Sequence, residues 1–567
     1  MKSLHSTHAL VLIASVSIPA VLLETQASAV EPTVGYLYPG GVAAGQEVVV
    51  TAAVSGLAWP PRVRVEGAGG EEVAGLTATP LDDEKKVRVR AARELPPGRY
   101  WLRFHGDEGA ASPRPFLVGQ LAEQEEAEPN DTLEEAESVE GLPRVVNGRL
   151  AKNGETDAFA VILRAGDTLV AVVEANRVLG SPMDASLQVT DSAGFVLDEN
   201  DDELGLDPRL TFRAPSDGRY VVRVFAFPAA PNSSIRFSGD DAYVYRLTLT
   251  TTAYAAYAQP LAVTCGAPSE VRLCGWNLTD DGSATVRVPP APAAGLRLLD
   301  PGRAAGLVEV LIEPHTTLVE GQPHGNGFVQ PVELPSTISG RVARPGDLDH
   351  FGVELAEGER LIASVHARRL SSRLDAVLRI RSDDDEQLAE VDDRSGADPE
   401  IEFKAPRAGR YVIEVGDRFG QGGPFHVYAL RLVRQAASFS LHVADDHFRL
   451  EPGKPLELPV SVRRVHGFDR EVTLGVEGLP AEIRVAPAVS TPSGEEAKKV
   501  SLQLDGSGER WSGPIRVIGE SAGAEGTPAI EAVAFATLIG PGGETSVLWL
   551  TAVPPPPPAE AADADSE

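Results

Sequence analysis

A stretch of about 120 residues occurs twice in this chain, and such an internal repeat constrains the fold more than any single motif. The first copy runs from Glu126 to about Tyr245, and the second copy repeats its motifs in the same order. The paired motifs are Gly148-Arg149-Leu150 with Gly340-Arg341-Val342, Asp157-Ala158-Phe159 with Asp349-His350-Phe351, Asp184-Ala185 with Asp375-Ala376, and Gly218-Arg219-Tyr220 with Gly409-Arg410-Tyr411. Gly-Arg-Tyr followed by alternating valines is typical of a turn that leads into a strand with one buried face. The repeat therefore predicts two copies of one strand-rich domain.

The composition favours an all-β fold class, a multidomain chain of β-sandwiches. Hydrophobic residues make up 43% of the 567 residues, aromatic residues only 6%, and 55 glycines and 45 prolines occur without a collagen period. Many short strands joined by turns have this composition. A chain of this length is expected to hold roughly three to five domains.

The N-terminus has the pattern of a secretory signal peptide. Lys2 precedes an apolar run from about Ala9 to Leu23, and Ala27-Ser28-Ala29 is a small-x-small cleavage site. No cysteine follows this site, which argues against a lipoprotein anchor, and no later segment reaches the ~18 apolar residues of a membrane helix. We therefore expect cleavage near Ala29 and a mature chain that is secreted, periplasmic or displayed at the cell surface.

Strand-like alternation also flanks both copies, as in Lys86-Val87-Arg88-Val89-Arg90. The segments around Gly35-Tyr36-Leu37-Tyr38-Pro39-Gly40-Gly41 and Cys274-Gly275-Trp276-Asn277-Leu278 resemble immunoglobulin-like domains of bacterial exported proteins. The predicted boundaries are a signal peptide at 1–29, an immunoglobulin-like β domain at 30–120, the first repeat at 121–253, a small immunoglobulin-like β domain at 254–325, the second repeat at 326–436, an immunoglobulin- or fibronectin-like β domain at 437–553, and a disordered proline-rich, acidic tail at 554–567.

The repeated stretch resembles the bacterial pre-peptidase C-terminal domain. The residues that carry the resemblance are Glu128-Pro129-Asn130-Asp131-Thr132, Gly148, Asp157-Ala158-Phe159, Ala165-Gly166, Asp184, Asn200-Asp201-Asp202 and Gly218-Arg219-Tyr220, with Gly340, Asp349-His350-Phe351, Gly358, Asp375, Asp392-Asp393 and Gly409-Arg410-Tyr411 in the second copy. The resemblance implies a jelly-roll sandwich. Domains of this family accompany secreted proteases and also occur in non-catalytic exported proteins.

Oxygen ligands are dense at the entrance of the first copy. Glu126, Glu128, Asn130 and Asp131 fall within six residues, and Asp157 begins the next motif. Calcium takes six to eight hard oxygen ligands, so this pattern predicts calcium as a cofactor. The alternative is that Asn130 and Asp131 only cap a turn while the glutamates are solvated.

The family resemblance adds to the calcium hypothesis. The five residues fall on positions that hold calcium in collagen-binding relatives from clostridial collagenases, although Gly154 stands where those relatives carry another aspartate. This difference puts a two-ion site in doubt. In the second copy we place the entrance at Glu333-Leu334-Pro335-Ser336-Thr337, which lacks the acidic pattern, and expect no metal there.

Other motifs do not support a catalytic site. Gly519-Glu520-Ser521-Ala522-Gly523 has the G-x-S-x-G form, but no histidine follows His466, so we interpret it as a turn between strands. Asp198 to Glu203 has the acidic pattern of a calcium loop, but Glu203 stands where that loop needs glycine.

Cys265 and Cys274 predict a disulfide within a hairpin after export, since neither a C-x-x-C spacing nor further metal ligands accompany them.

The net charge of −31 argues against nucleic acid and membrane surfaces as partners, since both are anionic. We therefore hypothesise a secreted, non-catalytic scaffold that binds an extracellular protein, matrix or carbohydrate surface. The alternative is an accessory component of a secreted protease or other hydrolase.

Overall fold

The computed structural model describes residues 31–83, 85–230, 233, 236–279, 284–291, 294–321, 328–393, 398–506, 510–523, 529–538 and 543–554. The predicted signal peptide, and the predicted tail apart from Pro554, lie outside the described residues. Within this part of the chain almost all regular structure is β-strand, as the composition predicts. Helix is limited to α1 (Asn176–Leu179) and two 3-10 turns, Arg368–Leu370 and Glu495–Ala497.

The first module (residues 33–119) is a sandwich of two four-stranded sheets. Its strands are β1 (Thr33–Tyr38), β2 (Gly41–Ala43), β3 (Glu47–Ser55), β4 (Arg62–Glu66), β5 (Leu76–Pro80), β6 (Lys86–Ala91), β7 (Gly98–His105) and β8 (Arg114–Gly119). The sheet orders are β1-β3-β6-β5 and β2-β8-β7-β4. Val87 and Val89 on β6 are fully buried while Arg88 and Arg90 between and after them are exposed, which is the alternation of a strand with one core face.

The first sandwich (residues 123–250) contains the first repeat. Its strands are β9 (Glu123–Glu125), β10 (Glu137–Ser138), β11 (Arg144–Arg149), β12 (Asp157–Leu163), β13 (Thr168–Glu174), β14 (Met183–Thr190), β15 (Val196–Asn200), β16 (Arg209–Arg213), β17 (Gly218–Pro228) and β18 (Val244–Thr250). They form two five-stranded sheets in the orders β10-β12-β17-β14-β15 and β16-β13-β18-β11-β9. Tyr220, Val222 and Val224 alternate along β17 into the core between the sheets. The predicted Gly-Arg-Tyr turn therefore leads into a strand with a core-facing side, but the opposite side is also buried at Val221, which the prediction of one buried face did not include.

The small module (residues 254–313) is a reduced version of the first module. Its strands are β19 (Tyr254–Gln259), β20 (Ala262–Thr264), β21 (Ser269–Trp276), β22 (Thr285–Val288), β23 (Gly295–Leu299) and β24 (Val308–Glu313), in the sheet orders β19-β21-β22 and β20-β24-β23. β20 pairs in parallel with β24, as β2 pairs in parallel with β8 in the first module.

The second sandwich (residues 316–434) repeats the first strand for strand. Its strands are β25 (Thr316–Val319), β26 (Val329–Pro331), β27 (Ser336–Arg341), β28 (Leu348–Leu355), β29 (Arg360–His366), β30 (Ala376–Ser382), β31 (Gln387–Val391), β32 (Glu400–Lys404), β33 (Gly409–Asp417) and β34 (Val427–Arg434). The orders β26-β28-β33-β30-β31 and β25-β27-β34-β29-β32 match those of the first sandwich. Because β25 belongs to this sandwich, the second repeat begins about ten residues before the predicted boundary at 326.

The last module (residues 438–552) is built around one long sheet path. Its strands are β35 (Ser438–Val443), β36 (His447–Leu450), β37 (Leu456–Val465), β38 (Val472–Glu477), β39 (Ile483–Ala486), β40 (Ala488–Ser490), β41 (Lys499–Gly506), β42 (Trp511–Ser521), β43 (Ile530–Thr537), β44 (Glu544–Thr545) and β45 (Leu548–Ala552). The path runs β36-β45-β42-β43-β35-β37-β41-β39, with β38, β40 and β44 attached beside it.

The predicted disulfide is not formed, because both cysteines are free thiols. Cys265 follows β20 and packs against the core of the small module. Cys274 lies on β21 in the other sheet, and its side chain packs outward against the neighbouring sandwiches. The prediction was wrong because successive side chains of a strand alternate between faces, and sequence spacing does not reveal the face that each cysteine takes.

A buried arginine joins the first module to the last. Arg103 on β7 has no solvent exposure, and its guanidinium pairs with Glu66 of its own module at 2.8 Å and with Asp446 of the last module at 2.5 Å. Ser112 donates a hydrogen bond to the same Asp446 carboxylate at 2.6 Å. His105 lies against Trp549 with ring centroids 4.5 Å apart. The five modules therefore follow a closed circuit in which the last module returns to the first.

We predict that Arg103→Met opens this circuit. The variant leaves Glu66 with Arg64 and Asp446 with His447 as their remaining cationic neighbours, and removing one partner of a buried ion pair typically costs about 3–5 kcal/mol. The radius of gyration measured by small-angle scattering should increase, and the free energy of unfolding of the first module should fall. As a control, Arg379→Met removes a half-buried arginine of the second sandwich that also contacts two carboxylates and should leave the scattering unchanged. Unchanged scattering of Arg103→Met would contradict the assignment.

Candidate metal centre

The carboxyl groups of Glu126, Glu128 and Asp157 converge at one edge of the first sandwich. One oxygen of each lies within 4.8 Å of the others. Glu126 directly follows β9, whose parallel pairing with β11 carries the entrance alongside the sheet. Asp157 is the first residue of β12 and has no solvent exposure. The fold thus brings together three of the five residues predicted from the sequence.

Asn130 lies in the entrance loop, where its backbone N–H donates a hydrogen bond to Glu128 Oε2 at 3.2 Å. Its backbone carbonyl accepts a hydrogen bond from the Ala158 backbone N–H at 3.0 Å, which anchors the entrance loop to the start of β12. Its side chain is fully buried, yet neither the oxygen nor the nitrogen of the amide has a hydrogen-bond partner. Asp131, the fifth predicted residue, is exposed and lies near Glu128 but outside the converging trio.

A tyrosine that the sequence analysis did not assign to the site connects two of its carboxyls. The Tyr245 hydroxyl lies 2.5 Å from Asp157 Oδ2 and 3.2 Å from Glu126 Oε2. A hydroxyl carries one hydrogen, so it donates to one of the two carboxyls and can accept a hydrogen bond from the other only if that carboxyl is protonated. Asp157 Oδ1 has no hydrogen-bond donor.

Gly148 is required by the position of this tyrosine. A Cβ atom at residue 148 would lie 2.2 Å from the Tyr245 ring and 2.7 Å from Glu126 Oε2. The same holds at Gly340 in the second sandwich, where a Cβ would lie 2.4 Å from the Tyr428 ring. The repeated Gly-Arg motif therefore marks a close approach of an aromatic ring to the backbone.

Burial and mutual repulsion raise the pKa values of all three carboxyls. Burial raises the pKa of Glu126 to about 7, even though the Arg149 backbone N–H donates to it at 2.7 Å. The pKa of Asp157 lies well above its usual range, first because of burial and then because of the Glu126 charge. Burial and the neighbouring Glu155 raise the pKa of Glu128. The site is therefore short of positive charge.

Glu155 is a neighbour that the sequence analysis missed. Its carboxyl is buried and accepts a hydrogen bond from the Lys152 backbone N–H at 2.7 Å. It lies two residues before Asp157, directly after the Gly154 position where the collagenase relatives carry an aspartate. The acidic residue next to that glycine was the signal that could have identified it.

The second copy has an entrance that our placement at Glu333 to Thr337 missed. Glu320 follows β25 and accepts a hydrogen bond from the Arg341 backbone N–H at 3.0 Å, as Glu126 does from Arg149. Its carboxyl lies beside Asp349, whose Oδ2 accepts from the Tyr428 hydroxyl at 2.7 Å. The placement was wrong because Leu334-Pro335 leads into β27 as Leu142-Pro143 leads into β11, well after the entrance.

The chemistry of the second entrance differs from that of the first. Gln322 and His324 stand where the first copy has Glu128 and Asn130, and both lie outside the described residues. The second copy thus keeps the pair of carboxyls, Glu320 and Asp349, and lacks the additional negative charge that Glu128 brings to the first copy. The absence of metal from this copy remains a prediction.

The G-x-S-x-G motif lies at the end of strand β42. Ser521 is the last residue of that strand, pairs with Ile530 of β43, and is buried at 2% exposure. A nucleophile elbow presents an exposed serine at a strand-to-helix turn. The environment of Ser521 is therefore that of a structural residue in a sheet.

Comparison with known proteins bears on the first sandwich. Residues 155–226 match the model of the bacterial pre-peptidase C-terminal domain. The first sandwich is a pre-peptidase C-terminal domain. Such domains are themselves non-catalytic. A segment of 116 residues is 34% identical to a protein of Deinococcus radiodurans named as a probable subtilase-type serine protease, a match that covers 20% of this chain and 15% of that protein. The chain thus spans a small part of the length of this relative.

Two solved structures are similar to a part of the chain that has the size of one pre-peptidase C-terminal domain. One is the pre-peptidase C-terminal domain of collagenase from Bacillus anthracis, at 18% identity over 20% of this chain and 98% of that chain, with a TM-score of 0.16. The other is PliG of Aeromonas hydrophila, a periplasmic inhibitor of g-type lysozyme, at 13% identity over 21% of this chain and 100% of that chain, with a TM-score of 0.15.

We predict that the second sandwich loses stability as the pH rises from about 4 to about 8. Burial and the Glu320 carboxyl raise the pKa of Asp349 to about 8, against about 3.9 for an unfolded aspartate. The folded state binds the proton more tightly, so this stabilisation is complete below the unfolded value and is lost as the pH passes the folded value.

Asp349→Asn should remove this pH dependence, while Asp383→Asn at an exposed turn should keep it. The measurement is the urea dependence of hydrogen exchange in β28 and β34 at pH 5 and pH 8. Equal stability of the unmodified chain at both pH values would show that the pair does not share a proton.

Proposed function

We propose that the chain is an exported, non-catalytic scaffold of β-modules whose first sandwich binds a calcium ion. The observation that carries the proposal is the convergence of three carboxyls at an entrance loop in which the buried Asn130 amide has no hydrogen-bond partner. A buried polar group without a partner costs about 1–3 kcal/mol, and a bound cation would offset the part of this cost that belongs to the amide oxygen by taking it as a ligand.

The donor set supports calcium over transition metals. Glu126, Glu128 and Asp157 offer carboxylate oxygens and Asn130 offers an amide oxygen, which are hard ligands. Zinc sites in proteins favour cysteine and histidine, and neither residue type belongs to the trio. A bound calcium ion would supply the positive charge that the carboxyls lack. By binding the same ion, the ligands of the entrance loop and Asp157 of β12 would hold the loop against that strand.

The scaffold part of the proposal is supported by the buried junctions between modules. At the junction of the small module and the second sandwich, Trp276 stacks on Phe425 with ring centroids 4.4 Å apart. Glu313 is fully buried and pairs with Arg431 through both of its oxygens, at 2.7 and 2.9 Å. Such junctions suit a protein that holds surfaces at fixed positions for an extracellular protein, matrix or carbohydrate partner.

Export is part of the same proposal. The pre-peptidase C-terminal family occurs in secreted proteases, and the first residues of the sequence have the signal-peptide pattern. Within the described ranges no helix is long and apolar enough to cross a membrane.

A second candidate function is that of an accessory component of a secreted protease or other hydrolase. The observation that favours it is the 34% identity between part of this chain and the Deinococcus protein named as a probable subtilase-type protease. In this case the scaffold would position a separate catalytic protein or its substrate.

We predict that calcium stabilises the first sandwich and leaves the second unchanged. Calcium at 100 times its dissociation constant should add about 2.7 kcal/mol to the free energy of unfolding of the first sandwich. Asp157→Asn should abolish this gain, whereas Asp349→Asn, at the equivalent position of the second sandwich, should keep it. Hydrogen exchange of β12 and β28 in the full mature chain with and without calcium measures both effects. A gain that survives Asp157→Asn would place the ion elsewhere.

We predict that the purified mature chain shows no turnover of peptide, ester or glycoside substrates. The two candidate functions differ in their partner: an accessory component should co-purify with a hydrolase from the native secretome and change its activity on an insoluble substrate. Robust turnover by the chain alone, abolished by a point substitution, would contradict both candidates.

A further inference from the structure

We propose that Tyr38 of the first module couples the docking of that module to metal binding in the first sandwich. The inference rests on the proposed calcium site and identifies Tyr38 as a positioning residue for it. Tyr38 is separated from Glu126 by 88 positions in the sequence, and its hydroxyl reaches the Glu126 carboxylate across the junction between two modules.

The hydroxyl of Tyr38 has two acceptors at equal distance. It lies 3.4 Å from Glu126 Oε1 and 3.4 Å from the backbone oxygen of Asn147. The Arg149 guanidinium lies 4.9 Å from the centre of the Tyr38 ring, which holds the ring between the entrance and β11. A single hydroxyl hydrogen must choose one of the two oxygens.

The position of the Glu126 carboxylate decides which acceptor the hydroxyl prefers. A bound cation would hold this carboxylate at one position as a ligand, and a hydrogen bond from a neighbouring residue orients a metal-binding carboxylate and supports metal affinity. Metal binding therefore strengthens the contact between Tyr38 and Glu126 and with it the junction. Because such coupling is reciprocal, a docked first module must also strengthen metal binding.

The rest of the junction is apolar and closely packed. Leu117 of the first module contacts a buried cluster with Val178, Leu179 and Val244 of the first sandwich. A Cβ atom at Gly40 would lie 2.9 Å from a methyl group of Leu179, so the backbone of the first module approaches the sandwich closely. This packing is independent of the metal, so Tyr38 modulates a junction that already exists.

The second module pair provides an internal comparison. The small module precedes the second sandwich as the first module precedes the first sandwich, and Gln259-Pro260 stands where Tyr38-Pro39 stands. Ser339, the equivalent of Asn147, accepts hydrogen bonds from the Leu261 and Ala262 backbone N–H groups at 3.0 and 3.2 Å. The same junction is thus built without a phenol beside the Glu320 and Asp349 carboxyls. The coupling therefore belongs only to the junction between the first module and the first sandwich.

The test compares Tyr38→Phe with Tyr36→Phe in the full mature chain. Both tyrosines lie on β1 near Arg149, but the structure gives only Tyr38 a hydrogen bond to Glu126. Calcium affinity is measured by isothermal titration calorimetry, and docking is measured by hydrogen exchange in β1 and β2. Both variants keep an aromatic ring, so the packing of the junction is retained.

We expect Tyr38→Phe to weaken calcium binding about threefold to tenfold, the range for losing one hydrogen bond. Calcium should slow hydrogen exchange in β1 and β2 of the unmodified chain and of Tyr36→Phe, and this protection should be lost in Tyr38→Phe. Calcium binding with unchanged affinity and protection in Tyr38→Phe would overturn the coupling and leave the calcium site intact. A failure of the unmodified chain to bind calcium would overturn both.

Discussion

In each sandwich a tyrosine hydroxyl crosses from one sheet to a buried aspartate of the other. Tyr245 on β18 contacts Asp157 on β12, and Tyr428 on β34 contacts Asp349 on β28. The tyrosine rings belong to the apolar clusters between the sheets, so this polar contact helps to fix the sheets at one relative position. It also requires glycine under each ring and brings the entrance glutamate next to the aspartate. The position of the candidate metal centre follows from this contact.

The repeat in the sequence was sufficient to predict the two sandwiches because its motifs report local packing, such as the glycine under a tyrosine ring. Three carboxyls of the site were predictable because acidic residues are dense at the entrance and Asp157 begins the next motif of the repeat. The second entrance was missed because Glu320 lacks the acidic neighbours by which the first entrance was recognised. Tyr38 could not be found from the sequence, since no local pattern indicates which residue of a separate module will reach Glu126.

The duplicated unit is larger than the repeat that the sequence makes visible. The two sandwiches share one order of strand pairings, and the small module keeps the pairing order of the first module with one strand fewer in each sheet. The two sandwiches differ in how their clustered charged side chains are paired. On the outward face of the second sandwich Glu414 pairs with Arg379, Arg381 and His350, so its charges are compensated by its own side chains. At the first entrance Glu126, Glu128 and Asp157 have no such ion pairs among the described side chains, and the calcium proposal rests on this difference.

The return of the last module to the first changes how the chain would respond to proteolysis. In an open string of domains, one cut in a linker separates two fragments. In this chain each module touches neighbours on two sides, and Arg103 joins residues that are 343 positions apart. A single cut in any linker would therefore convert the circuit into a string whose pieces remain attached through the other junctions. Two cuts are needed to release a module.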